Sequence, residues 1–187
     1  MSTNVCNIAS FQPKAGEKYI FDTNVLIKIF YPTLGSRNNA PYIKMYEKLV
    51  TAKSTLLVSS IHISEFINRC IRFQFDLYRG SHPDITDFKH DYRNTDDYRE
   101  CMKAILEIVT TDILSIFSKM NDNFQTMSDK RLFLYGFSYD FNDALISEMC
   151  RQETCILVTD DSDYINFSDN LTIVTNNKSL LLLSSHK

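Results

Sequence analysis

Short apolar runs alternate with amphipathic stretches along most of this chain. "KYIF" (Lys18 to Phe21) is apolar and aromatic, stops at Asp22, and predicts a buried strand. "NVLIKIF" follows as one or two helical turns before Pro32. In "NNAPYIKMYEKLVTAK" the residues Tyr42, Met45, Tyr46, Leu49 and Val50 recur at i, i+3, i+4, i+7 and i+8, with Pro41 near the first turn, so this stretch predicts an amphipathic helix with its own start signal. "STLLVSS" (Ser54 to Ser60) reads as a second buried strand, and Ile63, Phe66, Ile67, Cys70 and Ile71 then share one helical stripe.

The segment from Ser81 to Glu100 is dense in charge and turn residues and predicts a surface connector that adds little core. Thr95 is placed to cap a helix with Asp96 and Asp97 in its first turn, and that pattern runs to about Met120. Phe124 to Tyr135 reads as helix or irregular chain. "SYDFNDALISEMCRQ" predicts a helix, "CILV" and "LTIV" predict strands, and "KSLLLL" a short closing element. Brief apolar strands separated by helices require crossover connections, which favours a parallel sheet covered on both faces. The expected fold is α/β: a Rossmann-like three-layer α/β/α arrangement with a central parallel sheet and a helical, charged insertion around residues 72–135.

At 187 residues with 44% hydrophobic content, the chain suits one domain spanning 1–187 and is short for two. Its N-terminal stretch lacks the charged-then-apolar layout of a signal peptide and no apolar run is long, so the expectation is a cytoplasmic protein with no membrane span. Five cysteines without a C-x-x-C pair argue against a disulfide framework and a thiolate zinc site. A net charge of −3 is not that of a strongly basic nucleic-acid binder, although bound divalent cations reverse the sign of an acidic pocket.

Acids gather where such folds bind ligands, at the carboxyl ends of the strands. Asp22 ends the first strand, Glu65 lies early in the helix after the second, Asp143 is near the start of the later helix, and Asp160, Asp161 and Asp163 follow "CILV". Each has a plainer meaning: a helix cap for Asp22, an i,i+4 pair with Arg69 for Glu65, a cap and first-turn acid for Asp140 and Asp143, a turn for "TDDSD". Together these readings weaken, because two carboxylates about 4 Å apart repel by roughly 4 kcal/mol at an effective dielectric of 20. Oxygen-only ligands without His or Cys suit Mg²⁺ or Mn²⁺. Thr23, Asn24 and Thr159 adjoin the acids and are able to orient ligands, with a simple turn the alternative for Asn24.

"FDTNVLI" at Asp22, "SSIHISEF" at Glu65, "NDALISEMC" at Asp143 and "ILVTDDSDY" at Asp161 resemble, in that order, the four acidic motifs of PIN-domain proteins, which include VapC-type toxins. The resemblance covers about Tyr19 to Val174, and the span 72–135 is longer than a small toxin of this family needs. It implies a metal-dependent endoribonuclease acting on single-stranded RNA. Asp22, Glu65, Asp143 and Asp161 would be catalytic and, with Asp163, would hold one or two Mg²⁺ or Mn²⁺ ions. Asp140 and Asp160 are auxiliary acids, and Arg69 and Arg72 are candidates to meet flanking phosphates. An antitoxin protein and a homodimer are the partners that go with this reading.

Two rivals stay open on sequence. One is a phosphatase with Asp22 as nucleophile, although Asn24 stands where such enzymes want a second acid. The other is a non-catalytic, regulatory PIN-like module that binds nucleic acid or metal.

Overall fold

A computed structural model of the chain describes residues 4–34, 39–133, 140–167 and 171–185. Among these residues, strands β1 (Asn4–Asn7), β2 (Lys18–Phe21), β3 (Thr55–Val58), β4 (Ser118–Lys119), β5 (Ile156–Val158) and β6 (Thr172–Thr175) form one wholly parallel sheet in the order β1-β6-β5-β2-β3-β4. The helices are α1 (Thr23–Phe30), α2 (Ala40–Thr51), α3 (Ser60–Ser81), α4 (Asp96–Glu107), α5 (Asp129–Leu132), α6 (Phe141–Glu153) and α7 (Lys178–Ser185).

Side chains alternate across a strand, and the apolar strands therefore feed two cores. Tyr19, Phe21, Leu56, Val58, Val158 and Val174 pack with α1 to α4 on one face. Ile20, Leu57, Leu157 and Ile173 pack with α6 and with Leu180 of α7 on the other. The expected three-layer α/β architecture is the one observed. No helix among the described residues is long and apolar enough to cross a membrane.

The departures from expectation have local causes. The polar run "NVCN" forms β1 as an edge strand, joined only to β6. The helical pattern expected to reach Met120 ends earlier: α4 widens into a π-helical stretch, Ile108–Ile113, and the chain then extends into β4. Phe117, between the two, lies 5.5 Å from Phe21, 6.0 Å from Phe30 and 6.3 Å from Tyr46, ring centre to ring centre. That aromatic anchor fixes the exit from the helix.

The stretch from Ser81 to Glu100 adds more core than its composition suggests. Phe88 and Tyr92 are buried against Phe75 and Tyr78, because α3 runs on to Ser81 and offers them an aromatic face. Asp91 accepts the Thr86 and Asp87 N–H groups at 2.9 and 2.8 Å, and Thr95 caps α4 by accepting the Tyr98 N–H at 3.1 Å. Between Phe124 and Leu132 a short 3₁₀ turn precedes α5; the remainder of the expected segment, and the start of "SYDF", lie outside the described residues.

Candidate active site

β2 and β5 are neighbours at the centre of the sheet, with β3 and β4 beyond one and β6 and β1 beyond the other. Their carboxyl ends form the switch point at which open parallel sheets bind ligands. Asp22 follows β2, and its N–H donates to the Val158 carbonyl at 3.0 Å, extending the ladder by one residue. Thr159, Asp160 and Asp161 follow β5. Glu65 comes from the second turn of α3, after β3, and Asp143 from the first turn of α6.

Asp22 occupies the N-cap position of α1 yet makes no side-chain capping bond. Its Oδ2 instead accepts the Thr159 hydroxyl at 2.7 Å, and Thr159 Oγ1 accepts the Asp161 N–H at 3.0 Å. Thr23 donates its hydroxyl to Glu65 Oε2 at 3.0 Å. Thr23 and Thr159 thus each donate to an acid, whereas Asn24 Oδ1 accepts the Asp160 N–H at 3.4 Å.

The electrostatics tie the four acids together. Burial pushes Asp22 up to about 7, with Glu65 and Asp161 adding repulsion that the Thr159 hydrogen bond opposes. Asp143 also rises to about 7, through burial first, then through Asp22 and Asp161; the Tyr164 hydroxyl beside it pulls the other way. Such a group of acids is short of positive charge.

The donor set fits a hard divalent cation: all oxygen, with two carboxyls held near neutrality by burial and mutual repulsion. Among the described residues no three acidic, His or Cys side chains are gathered as a ready-made cluster.

The remaining candidates separate. Asp140 is exposed and caps α6 through the Asn142 N–H at 3.0 Å. Asp163 is exposed and its N–H donates to Asp161 Oδ1 at 2.9 Å, so its backbone supports Asp161. Asp160 is paired with Lys28 at 2.9 Å. Arg69 lies 3.7 Å from Glu65 and lines, with Asn24, Lys28, Asp161, Ser162 and Asn177, a cavity of about 370 Å³. Arg72 sits with its guanidinium 3.9 Å from the centre of the Phe88 ring, engaged with the insertion.

Lys28 is, with Arg69 and Arg72, among the basic residues nearest the acids in sequence, whereas Tyr42 and Asn177 are not singled out as site residues. Lys28 carried a signal, as a lone charge inside the apolar run "NVLIKIF". Tyr42 reads as an ordinary member of a helical stripe.

A parallel α/β sheet with acids at its central switch edge defines a class of ligand-binding proteins broader than any one activity. The model of the PIN domain matches residues 19–170, and the chain belongs to the PIN-domain family, whose members are generally nucleases. No match emerges among curated protein sequences. Among solved structures, VapBC2 from Rickettsia felis, bound to a DNA fragment from their promoter, is similar with a TM-score of 0.48 and 18% identity, covering 84% of this chain and 98% of that one. PAE2754 from Pyrobaculum aerophilum is similar with a TM-score of 0.44 and 16% identity, covering 94% of each chain.

Proposed function

We propose that the chain is a metal-dependent endoribonuclease that cleaves phosphodiesters of single-stranded RNA, with Asp22, Glu65, Asp143 and Asp161 holding Mg²⁺ or Mn²⁺ and Asp163 at the margin of that site. The observation that carries the reading is the placement of Asp22 and Asp161 after the paired strands β2 and β5, joined through the Thr159 hydroxyl, in a chain of a nuclease family. A bound divalent cation supplies positive charge that acidifies a water and offsets charge on a phosphate under attack. The chain's own residues do the rest: Thr159 orients Asp22, Thr23 orients Glu65, and Arg69, exposed on the rim of the cavity beside Asp161, meets a neighbouring phosphate.

A toxin role, with an antitoxin protein as partner, accompanies this reading, as do a cytoplasmic location where RNA is at hand and a homodimer of a single domain spanning 1–187. A second reading, a regulatory PIN-like module that binds without cleaving, draws on one observation: no three ligands are gathered among the described residues.

Incubating the protein with end-labelled single-stranded RNA, with and without Mn²⁺, beside Asp22→Asn tests the choice. Mn²⁺-dependent internal cleavage that the variant lacks supports the nuclease. Retention of RNA without cleavage supports the binding module. Release of phosphate from a monoester in place of internal cuts would instead support the phosphatase considered on sequence grounds.

A further inference from the structure

In the turn after β5, Asp160 is held at each of its polar groups. Asp160 Oδ2 lies 2.9 Å from Lys28 Nζ, and Oδ1 accepts the Tyr42 hydroxyl at 2.6 Å. Its backbone N–H donates to Asn24 Oδ1 at 3.4 Å, and its carbonyl accepts the Asn177 side-chain amide at 2.6 Å. Both carboxylate oxygens and both backbone groups of Asp160 are therefore engaged.

Lys28 is an uncommon partner. Its side chain is 9% exposed, against 26% for Asp160, and its ammonium lies 5.7 Å from the centre of the Tyr42 ring. Burying an ammonium costs free energy that only a well-made pair offsets, and an apolar residue of similar size in this helix would avoid that cost. The pair also links two particular pieces of chain. Lys28 belongs to α1, whose N-cap is Asp22; Asp160 immediately precedes Asp161, whose N–H is fixed to Thr159.

We propose that Lys28 and Asp160 are a positioning pair: a buried charge clamp between α1 and the turn after β5 that sets Asp161 against Asp22 for a divalent cation. The inference rests on the metal-site reading above. Neither Lys28 nor Asp160 needs to touch metal or RNA; both act through Asp161. A clamp of this kind predicts that metal affinity depends on the pair itself, beyond its effect on folding.

The test is a Mn²⁺ titration of thermal unfolding with the full chain, each variant referred to its own metal-free Tm. In Lys28→Met and in Asp160→Asn, the Mn²⁺ concentration giving half the shift rises about tenfold or more, the usual loss when a group behind a ligand is removed. Lys28→Arg keeps the charge and stays within about threefold of the wild-type half-point, so a smaller loss than in Lys28→Met is expected. The double variant Lys28→Met with Asp160→Asn has no stranded buried charge, so it regains the wild-type metal-free Tm yet still needs about tenfold more Mn²⁺.

Recovery of both properties in the double variant overturns the proposal, because the pair would then serve charge balance alone. So do single variants with a lowered metal-free Tm and an unchanged half-point. Should Lys28→Met not fold, Asp160→Asn and the double variant carry the same comparison. A wild-type chain that shows no Mn²⁺ shift overturns the metal-site reading and this inference with it, whereas a failure confined to the variants overturns the inference alone.

Discussion

Thr159 donates its hydroxyl hydrogen to Asp22 Oδ2 across 2.7 Å, and Thr159 Oγ1 in turn accepts the Asp161 N–H at 3.0 Å. One buried hydroxyl therefore sets the orientation of an acid after β2 and the path of the chain toward an acid after β5. Its position is dictated by the ladder, since β2 and β5 pair in register from Tyr19 with Ile156 to Phe21 with Val158.

Thr159→Val keeps the shape and removes that hydroxyl. Asp22 loses the bond that opposes its rise in pKa, and the Asp161 N–H loses its acceptor. Leaving buried polar groups unpaired costs roughly 1–3 kcal/mol, so urea unfolding should register a loss of that size. Thr159→Ser, which restores the hydroxyl, should recover most of it. Equal losses in both variants would show that the methyl packing, and not the hydroxyl, is what matters there.

Asp22→Asn should have opposite effects on folding and on metal binding. At pH 8 it removes a buried charge that sits among other acids, so the metal-free variant should melt higher than wild type. Wild-type protein should gain about 2.7 kcal/mol at a Mn²⁺ concentration 100 times its Kd, and the variant much less. Calorimetry with and without Mn²⁺ reads both effects. A variant that melts lower without metal and shifts as far with it would contradict the acidic site.

The pH dependence follows from the same groups. Asp22 and Asp143 have folded values of about 7, above the unfolded carboxylate range, so the folded state binds their protons more tightly. Their contribution to metal-free stability is fully present below about pH 4 and is lost as pH rises through about 7. His62 works the other way: burial lowers it to about 4, and its contribution is lost as pH falls from about 6.5 toward 4. The two trends oppose each other across most of that window. The difference between Asp22→Asn and wild type isolates the carboxylate part and should grow steadily from pH 5 to pH 8. A flat difference would mean that Asp22 is ionised throughout.

How much was legible in advance depended on whether one residue's pattern was enough. Apolar runs such as "KYIF" and "TLLV" announced central strands because both of their faces are buried, and the acids after them announced the switch edge. β1 was not legible, because an edge strand of "NVCN" draws its support from β6 and needs no apolar run of its own. Asp160 looked like a spare acid, since its partners Lys28, Tyr42 and Asn177 come from three distant stretches. The charged insertion misled for a related reason: two aromatics among many charges suffice when another helix supplies the face they bury against.

That insertion supplies the last test. Phe88 is buried, 5.5 Å from the Phe75 ring and 5.9 Å from Tyr92, with the Arg72 guanidinium on its face. Removing a buried phenyl ring typically costs about 3–5 kcal/mol, so Phe88→Ala should lower stability by an amount of that order. Because the ring packs on α3 beyond the turn that carries Glu65, the Mn²⁺-induced shift should be retained. Hydrogen exchange should show the amides of residues 86, 87 and 91–95 protected in wild type, where they donate to Asp91, Asp87, Phe88 and Tyr92 or cap the turn, and fast in the variant. Fast exchange already in wild type, together with an altered choice of RNA when the segment is shortened, would instead make the insertion a mobile element that controls access to the acids.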